Sequence, residues 1–411
     1  LLPNSHDAEV RLQFANGEKI LYTKAFRLDQ QFTDPLESLS FTCSPPEKDR
    51  ERYSRFLNVG EQVVLKIDGM PQATMLIVSR TRSSDGGPAE IEVDARSMLV
   101  TAYEGSVDYT INKSIEADKP VSEVILEVMG HYGFTEIDVD PDTDVRVRSG
   151  QPLPGRQPIG IELEKLKERD LEASPGESAY QFCSRVFSRL GVVLRTNAEG
   201  KLLLSRPNYN QDPVVTLIEG RFRVPGAIRC LPSVSIRESN EGLFSEVVAL
   251  GRKLDDVNAT LAGKPIGRVV WAGGAAPAGT PFSDVKTKLI DFEGNGLPLW
   301  AYRSPLAPYK SKIILAKKCR DQERAERFAE YTFGLRNVGG YMVECEVRGF
   351  KSPGGHIWCY DQIVRFRCST WDIDEQMWVL GRTFSGDDKG GYKTKFKLIP
   401  KGALQLGDMP N

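Results

Sequence analysis

The sequence predicts a mainly β protein with an α+β insertion: two similar small antiparallel β-barrel modules separated by an α+β domain. Two observations carry this expectation. The first is an internal repeat. Near the C-terminus the chain runs through Trp358-Cys359-Tyr360-Asp361-Gln362-Ile363-Val364, then Met377 to Thr383, a turn from Gly386 to Gly391, and a basic strand from Tyr392 to Leu398. Near the N-terminus the same parts follow in the same order: Gly60-Glu61-Gln62-Val63-Val64, Ile77 to Thr81, Ser84-Asp85-Gly86-Gly87, and Glu90 to Val93. Two distant copies are too few for a solenoid and fit a duplicated small domain with something between. The second observation is a change of hydrophobic period, from two residues in the copies to the helical period between them.

The first module spans residues 1–105. Val10, Leu12 and Phe14 alternate as in a half-buried strand, and Asn16-Gly17 is a two-residue hairpin turn because both positions tolerate positive φ. Lys19 to Leu28 is the expected return strand, and Leu36 to Cys43 is a third, closed by Pro45-Pro46, which cannot donate to a ladder. Glu47 to Arg55 reads as a solvated loop or a short helical turn. Val63 to Ile67, turned by Asp68-Gly69, is followed by Ala73 to Arg80 and then by Ile91 to Ala95.

The α+β domain spans residues 106–207. From Pro120, suited to a first helical position, apolar residues fall at Val121, Val124, Ile125, Val128, Met129 and Tyr132, the spacing of one helix face. Gly130 or Gly133 ends it. Ser174-Pro175-Gly176-Glu177 has the capping-box pattern, with Ala179, Phe182, Cys183, Val186, Phe187 and Leu190 as the buried stripe beyond. A hairpin follows, Val192 to Arg195 and Lys201 to Leu204 around Asn197-Ala198-Glu199-Gly200, while Pro152 to Pro158 reads as loop.

The second module spans residues 208–411. Ile228 to Glu238 and Ser245 to Leu250 read as strands. Residues 258–310, rich in Gly, Ala and Pro, read as a long loop insert, a length that is normally functional. A helix is expected over about residues 320–336, with Ala325, Phe328, Ala329, Thr332 and Phe333 on one face. Tyr341 to Val347 is the counterpart of Ser38 to Ser44.

Composition narrows the function. With 54 basic and 56 acidic residues and a net charge of −2, the chain has no long-range field for collecting nucleic acid. No apolar run is long enough to span a bilayer, and Leu1 to His6 lacks the layout of a signal peptide. Seven scattered cysteines (Cys43, Cys183, Cys230, Cys319, Cys345, Cys359, Cys368) with no C-x-x-C spacing predict reduced thiols in a cytosolically made protein.

Candidate chemistry is sparse. His6, His131 and His356 lie at no ligand spacing from one another or from a cysteine. Asp138, Asp140, Asp142 and Asp144 alternate like a calcium loop but lack its central Gly and closing Glu. Gly86-Gly87 and Gly390-Gly391 precede strands, so they are turn glycines and not phosphate cradles. Glu162 and Glu164 form a polar face. No catalytic residue, cofactor or metal is expected, and the chain reads as a non-enzyme. Arg365-Phe366-Arg367 and Lys393-Thr394-Lys395-Phe396-Lys397 alternate charge with aromatic; they read as two-faced strands, the alternative being a surface that stacks bases and meets phosphate.

The order of elements resembles the baseplate hub proteins of contractile-tailed phages, the phage Mu-type hub and the late control gene D family. The matching stretches are Ile91-Glu92-Val93-Asp94-Ala95-Arg96-Ser97, Val121 to Phe134, Glu177 to Pro207 with Gly191-Val192-Val193-Leu194 and Gly200-Lys201-Leu202, Phe244-Ser245-Glu246-Val247, and Asp321 to Arg336. The 258–310 segment departs from that pattern. The resemblance implies a virion protein made in the host cytoplasm. It implies a homotrimeric ring whose six near-equivalent modules join a sixfold tail tube to a threefold central spike. Its partners would be itself, the tube and spike proteins and other baseplate proteins, with DNA only in transit and no membrane. Exposed strand edges of each copy, with Val63-Val64 and Ile363-Val364 in equivalent places, are the expected contacts between neighbours. A hub-associated cell-wall hydrolase and a duplicated-barrel protein binding nucleic acid or carbohydrate are the competing readings.

Overall fold

The computed structural model describes residues 9–84, 89–108, 121–139, 173–187, 192–220, 224–229, 231–239, 246–250, 268–270, 288–290, 300–303, 311–315, 340–387 and 391–404. The first strands are β1 (Val10–Phe14), β2 (Thr23–Gln31), β3 (Ser38–Cys43), β4 (Gln62–Ile67), β5 (Met70–Ser83) and β6 (Glu90–Ser97). In β6, Ile91, Val93 and Ala95 are buried while Glu92, Asp94 and Arg96 are exposed, so the period of two gives the strand its inner and outer faces. The Asp68-Gly69 turn joins β4 to β5 with both residues at positive φ, 50° and 78°.

The Asn16-Gly17 hairpin does not extend into the expected return strand. Gly17 N donates to the Phe14 carbonyl and Lys19 bridges Gln13, but then the chain departs through Tyr22 at φ 61°. β1 pairs instead with β4, and β2 pairs with β3. Of the two readings of Glu47–Arg55, solvated loop or short helical turn, the structure has the helical one, from Arg50 to Phe56. Tyr53 drives this: its ring is buried, and its hydroxyl donates to the Leu21 carbonyl and accepts from the Leu21 N–H.

The α+β portion contains helices Val100–Glu104, Val121–Gly130 and Ala179–Phe187, and strands β7 (Ile137–Val139), β8 (Val193–Thr196) and β9 (Leu202–Ser205) in the order β7-β9-β8. Val124, Ile125, Val128, Met129, Phe182, Cys183, Leu202 and Leu204 form its core. Gly133, at φ 89°, takes the left-handed position after the first long helix. The capping box lies four residues beyond the one expected: Gln181 N–H donates to Ser178 Oγ, and Ser178 N–H donates to Gln181 Oε1. Ser174 and Glu177 close the preceding turn, so the same Ser/Glu chemistry serves a loop.

The remaining strands are β10 (Thr216–Glu219), β11 (Ile228–Arg229), β12 (Ser233–Glu238), β13 (Glu246–Leu250), β14 (Arg268–Val270), β15 (Lys288–Ile290), β16 (Trp300–Arg303), β17 (Ser311–Leu315), β18 (Tyr341–Arg348), β19 (Ile363–Cys368), β20 (Ile373–Asp387) and β21 (Gly391–Pro400). Residues 258–310 are therefore not all loop: β14 pairs β15, and β16 joins β13 and β17 in a three-stranded sheet. The expected helix at 320–336, the loop at 152–158 and the Glu162/Glu164 pair lie outside the described residues.

Two closed barrels are the expectation from sequence, whereas thirteen of the described strands form one open sheet and no closed barrel is found among the described strands. One arm runs β1-β4-β5-β6-β3-β2 and the other β11-β10-β19-β20-β21-β18-β12, joined where β2 lies against β20. Closing the first arm would need β1 against β2, the pairing that frays after Lys19 because β2 is held by β20. A single hydrophobic core runs across the joint, including Leu28, Phe41, Val63 and Met75 from one arm and Val343, Phe366, Val379 and Phe396 from the other.

Candidate functional site: a buried polar joint inside a repeated sheet

The repeat is visible in the pairing registers. In the first arm Ile77 pairs Ala95 and the next pair is Ser79 with Asp94, so Val78 is a bulge. In the second arm Val379 pairs Leu398 and the next pair is Gly381 with Lys397, so Leu380 is a bulge. A bulge bends its strand and sharpens its twist, and here both long strands carry one at the matched place. The backbone bonds beside it also match. Gly60 N–H donates to the Ile77 carbonyl and Ile77 N–H to the Glu61 carbonyl, as Asp361 N–H donates to Val379 and Val379 N–H to Gln362. Gly60 and Asp361 both have positive φ, 92° and 60°. Val63 opposes Met75, and Val364 opposes Met377. Val63-Val64 and Ile363-Val364 thus sit on equivalent strands, shifted by one residue from the alignment read in the sequence. The registers of β3 with β6 and β18 with β21 place Leu39 opposite Ala95 and Val343 opposite Leu398, also one residue from the sequence alignment.

Each long strand carries an arginine three residues beyond the matched Ile77 or Val379. Arg80 Nη1 donates to the carbonyls of Ser54, 2.6 Å, and Leu57, 3.2 Å. Arg382 Nη1 donates to the carbonyl of Trp358, the matched place. Their surroundings then diverge, because β20 is covered by β2 and β5 by no described strand. Arg382 is 5% exposed. Its Nε and Nη2 donate to Gln30 Oε1 at 2.9 and 2.6 Å, Nη2 also reaches Gln72 Oε1 at 3.2 Å, and the guanidinium lies 4.4 Å from the Phe384 ring centroid. Gln30 Nε2 donates to Glu37 Oε2 at 2.7 Å, and Tyr360 hydroxyl donates to Glu37 Oε1 at 3.0 Å. Arg195, from the α+β portion, stacks 4.7 Å from the Tyr360 ring and donates to Ser205 Oγ.

Burial pushes the Glu37 carboxyl above the usual carboxylate range, against the pull of Gln30, Arg195, Tyr360 and Arg382. Burial likewise pushes the Tyr360 hydroxyl up. These groups come from both arms of the sheet and from the α+β portion, and they meet in one buried cluster. Such a network fixes relative orientation, since its side chains bond one another across the joint. No local pattern in the sequence singles out Gln30, Glu37, Gln72, Arg195 or Arg382; the one available signal is the pair of matched arginines, Arg80 and Arg382, in the two repeat copies.

The sequence-predicted residues fall elsewhere. His131 lies at the end of its helix beside Asp108, and His356 in a loop. His6, Cys230, Cys319, Gly86-Gly87, Gly390 and Asp140 to Asp144 lie outside the described residues. Among the described residues no group of three His, Cys, Asp or Glu side chains could hold a metal ion, and no described helix is long and apolar enough to cross a membrane. The basic strands are neutralised in place: Lys395 pairs with Glu344 at 2.5 Å, Lys393 with Glu346, and Arg365 and Arg367 both with Asp374. Arg367 and Arg365 hold the Asp374 carboxyl well below its ordinary range. Phe366 and Phe396 are fully buried, so neither ring is offered to a base. The expected contact edges are also corrected. β4 is flanked by β1 and β5, and β19 by β10 and β20, so Val63-Val64 and Ile363-Val364 lie on interior strands.

No family model and no curated protein matches the chain by sequence. Solved structures do match it in shape. The tail protein from Neisseria meningitidis MC58 is similar with a TM-score of 0.69 at 16% identity, over 98% of this chain and 99% of that one. The fold is that of phage tail proteins. The tail-protein fold recurs in the 43 kDa tail protein of prophage MuSo2 from Shewanella oneidensis, with a TM-score of 0.69 at 16% identity over 97% and 100% of the two chains. It recurs more distantly in a prophage tail protein from Listeria monocytogenes EGD-e, with a TM-score of 0.50 at 9% identity over 96% and 95%. Both close likenesses span the whole chain, so they include the repeat and the segment between its copies.

Proposed function

We propose that this chain is a structural component of a phage tail, the baseplate hub of a contractile tail. Three copies form a ring in which each contributes two related modules, with boundaries near residues 105 and 207. The ring adapts a sixfold tail tube to a threefold central spike. Its partners are two further copies of itself, the tube protein, the spike protein and other baseplate proteins, and DNA passes through without being held. It acts in the virion and needs no catalytic group, cofactor or metal.

The observation that carries this reading is the matched register of the two arms, down to the bulges at Val78 and Leu380. A protein that repeats one sheet arm within its chain has twice the rotational symmetry of its oligomer, which is what a three-to-six adaptor requires. The fold shared with tail proteins agrees with it. Light scattering and particle imaging test it. The expected result is a ring with three times the 45.8 kDa chain mass. A stable monomer at micromolar concentration refutes the hub reading.

A further inference from the structure

Inside the chain, β2 covers one edge of β20, with Gln30 opposite Arg382, Asp29 opposite Thr383, Leu28 opposite Phe384 and Arg27 opposite Ser385. The repeat supplies a counterpart for each strand. The registers match β20 to β5, with Arg382 at the place of Arg80, and β2 to β12, since Leu28 opposes Leu39 on β3 as Ile236 opposes Val343 on β18. Within the chain these two counterparts are far apart in pairing: among the described strands, β5 beyond the bulge pairs only with β6, and β12 pairs only with β18. Their exposure shows the missing cover. Arg382 and Phe384 are buried, but Arg80 is half-buried and Arg82 exposed. Phe26 and Leu28 are buried, but the matched Val234 and Ile236 are only half-buried.

We propose that β12 of one copy pairs antiparallel with the free edge of β5 in the next copy. The inner register is Glu238 opposite Arg80 and Ile236 opposite Arg82; the outer register is Arg237 opposite Thr81 and Ser235 opposite Ser83. This pairing rests on the ring reading above and names the contact that closes it.

Charge supports this partner. On the inner face Glu238 comes to lie opposite Arg80 and diagonal to Arg82. On the outer face of the internal joint, the Asp29 carboxyl of β2 is held down against the effect of burial first by Arg27 and then by Thr383, with a smaller pull from the charge of Lys397 on β21. The matched pair has both signs reversed: Arg237 stands at the place of Asp29, and Asp94 at the place of Lys397, with exposed Glu92 beside it. Complementarity kept through a reversal of sign lets each edge accept its own partner and repel the other. One detail bounds the register. A Cβ at Gly381 would lie 2.9 Å from the Gln30 carbonyl, and Ser79 occupies the matched position, so the pairing begins at Arg80. At its far end, a Cβ at Gly386 would meet Tyr392 and Phe26, whereas the matched Ser84 faces the smaller Ala89 and Val234.

Cysteine pairing in the full chain tests it, with exposed Cys359 changed to serine. Directly opposed strand residues bring their Cα atoms to about 4.5–5.5 Å, a separation a disulfide spans. S83C mixed with S235C should give a covalent dimer, while either variant alone should give none. The doubly substituted chain should give a ladder ending at three. R237E should lose the trimer at micromolar concentration, and R237E combined with D94R should restore it. Trimers that form without the S83C–S235C cross-link and persist in R237E overturn the pairing and leave the hub reading standing. A cross-linked ladder that runs past three overturns the trimer and leaves the pairing. A dimer from S83C alone overturns the head-to-tail contact.

Discussion

Changing Arg382 to alanine should unfasten the two sheet arms, and the matched Arg80 provides the control. The substitution removes three bonds from the guanidinium to Gln30 and Gln72 and a fourth to the Trp358 carbonyl. It leaves buried acceptors without donors, each costing about 1–3 kcal/mol. It also empties the space over the Phe384 ring, where a desolvated cation–π contact contributes up to about 2 kcal/mol. Against this, the buried guanidinium no longer has to be desolvated, so the terms do not simply add. Breaking a buried charged network by deleting one partner costs about 3–5 kcal/mol, and that is the expected loss. Compared at concentrations low enough that the chain is a monomer, Arg80→Ala removes bonds to two backbone carbonyls in a half-exposed setting where water can replace the donor, for about 1 kcal/mol. Arg382→Lys should fall between them, because an ammonium keeps the charge but cannot fork onto two amides. Urea midpoints followed by tryptophan fluorescence give the ranking, and hydrogen exchange gives the location. Exchange should accelerate in β2 and in the second half of β20 while β4 and the first half of β5 hold. Equal shifts for the two alanine variants, or acceleration spread evenly over both arms, would refute a joint held by Arg382.

Two further predictions concern the same joint. Gly381→Ala places a Cβ 2.9 Å from the Gln30 carbonyl, so it should destabilise the chain by about 1–3 kcal/mol in thermal unfolding, whereas Gly130→Ala, with no atom within 4 Å, should be neutral or stabilising. Glu37→Gln should raise stability near neutral pH. Burial raises the Glu37 carboxyl, so the folded protein holds that proton more tightly than the unfolded chain does. The stability this contributes is complete below the ordinary carboxylate pKa of about 4.3 and is lost as pH rises through the raised folded value. The advantage of the glutamine variant in urea should therefore shrink as pH falls toward about 5, and an advantage that grows on acidification contradicts the assignment.

How far the sequence reveals these features depends on how local their causes are. Strands β4 and β6 are legible because each alternates buried and less buried residues over its own length, β20 by its apolar run Met377 to Leu380, and the turn at Asp68-Gly69 needs only the φ preferences of two residues. The repeat is legible for the same reason, but only to within one residue. A bulge at Val78 or Leu380 changes register without changing composition, so the equivalence of Val63 with Val364 emerges from pairing alone. The helix Val121–Gly130 is legible from its stripe, while the cap of Ala179–Phe187 is not, because Ser174–Glu177 and Ser178–Gln181 have the same chemistry and only packing selects between them. The polar cluster was not legible at all. Gln30, Glu37, Arg195 and Arg382 are ordinary surface residue types, brought together from three stretches more than a hundred residues apart. Their burial is set by the cover of β2 over β20, which no local pattern announces.

That cover also explains why a duplicated arm leads to a closed assembly and not to a second internal joint. The loop after Lys19 sends β2 across to β20, which satisfies one matched edge pair inside the chain and leaves one edge each of its counterparts, β5 beyond Val78 and β12, without a partner among the described strands. Unpaired edges of this kind recruit whatever strand is complementary. Here the two edges complement each other but not themselves, since Arg80 and Arg82 lie on one and Glu238 on the other. An isologous dimer would set like charge against like, so association is head to tail, and head-to-tail contacts either close or grow without limit. The internal joint decides between these outcomes. If the contact between chains repeats the rotation from arm to arm found within a chain, every step around the assembly is alike, and a ring of an even number of arms results. The joint built by Gln30, Glu37 and Arg382 thus sets the geometry that the contact between chains has to match. Loosening it with Arg382→Ala should broaden the distribution of ring sizes in images even where β5 and β12 are untouched.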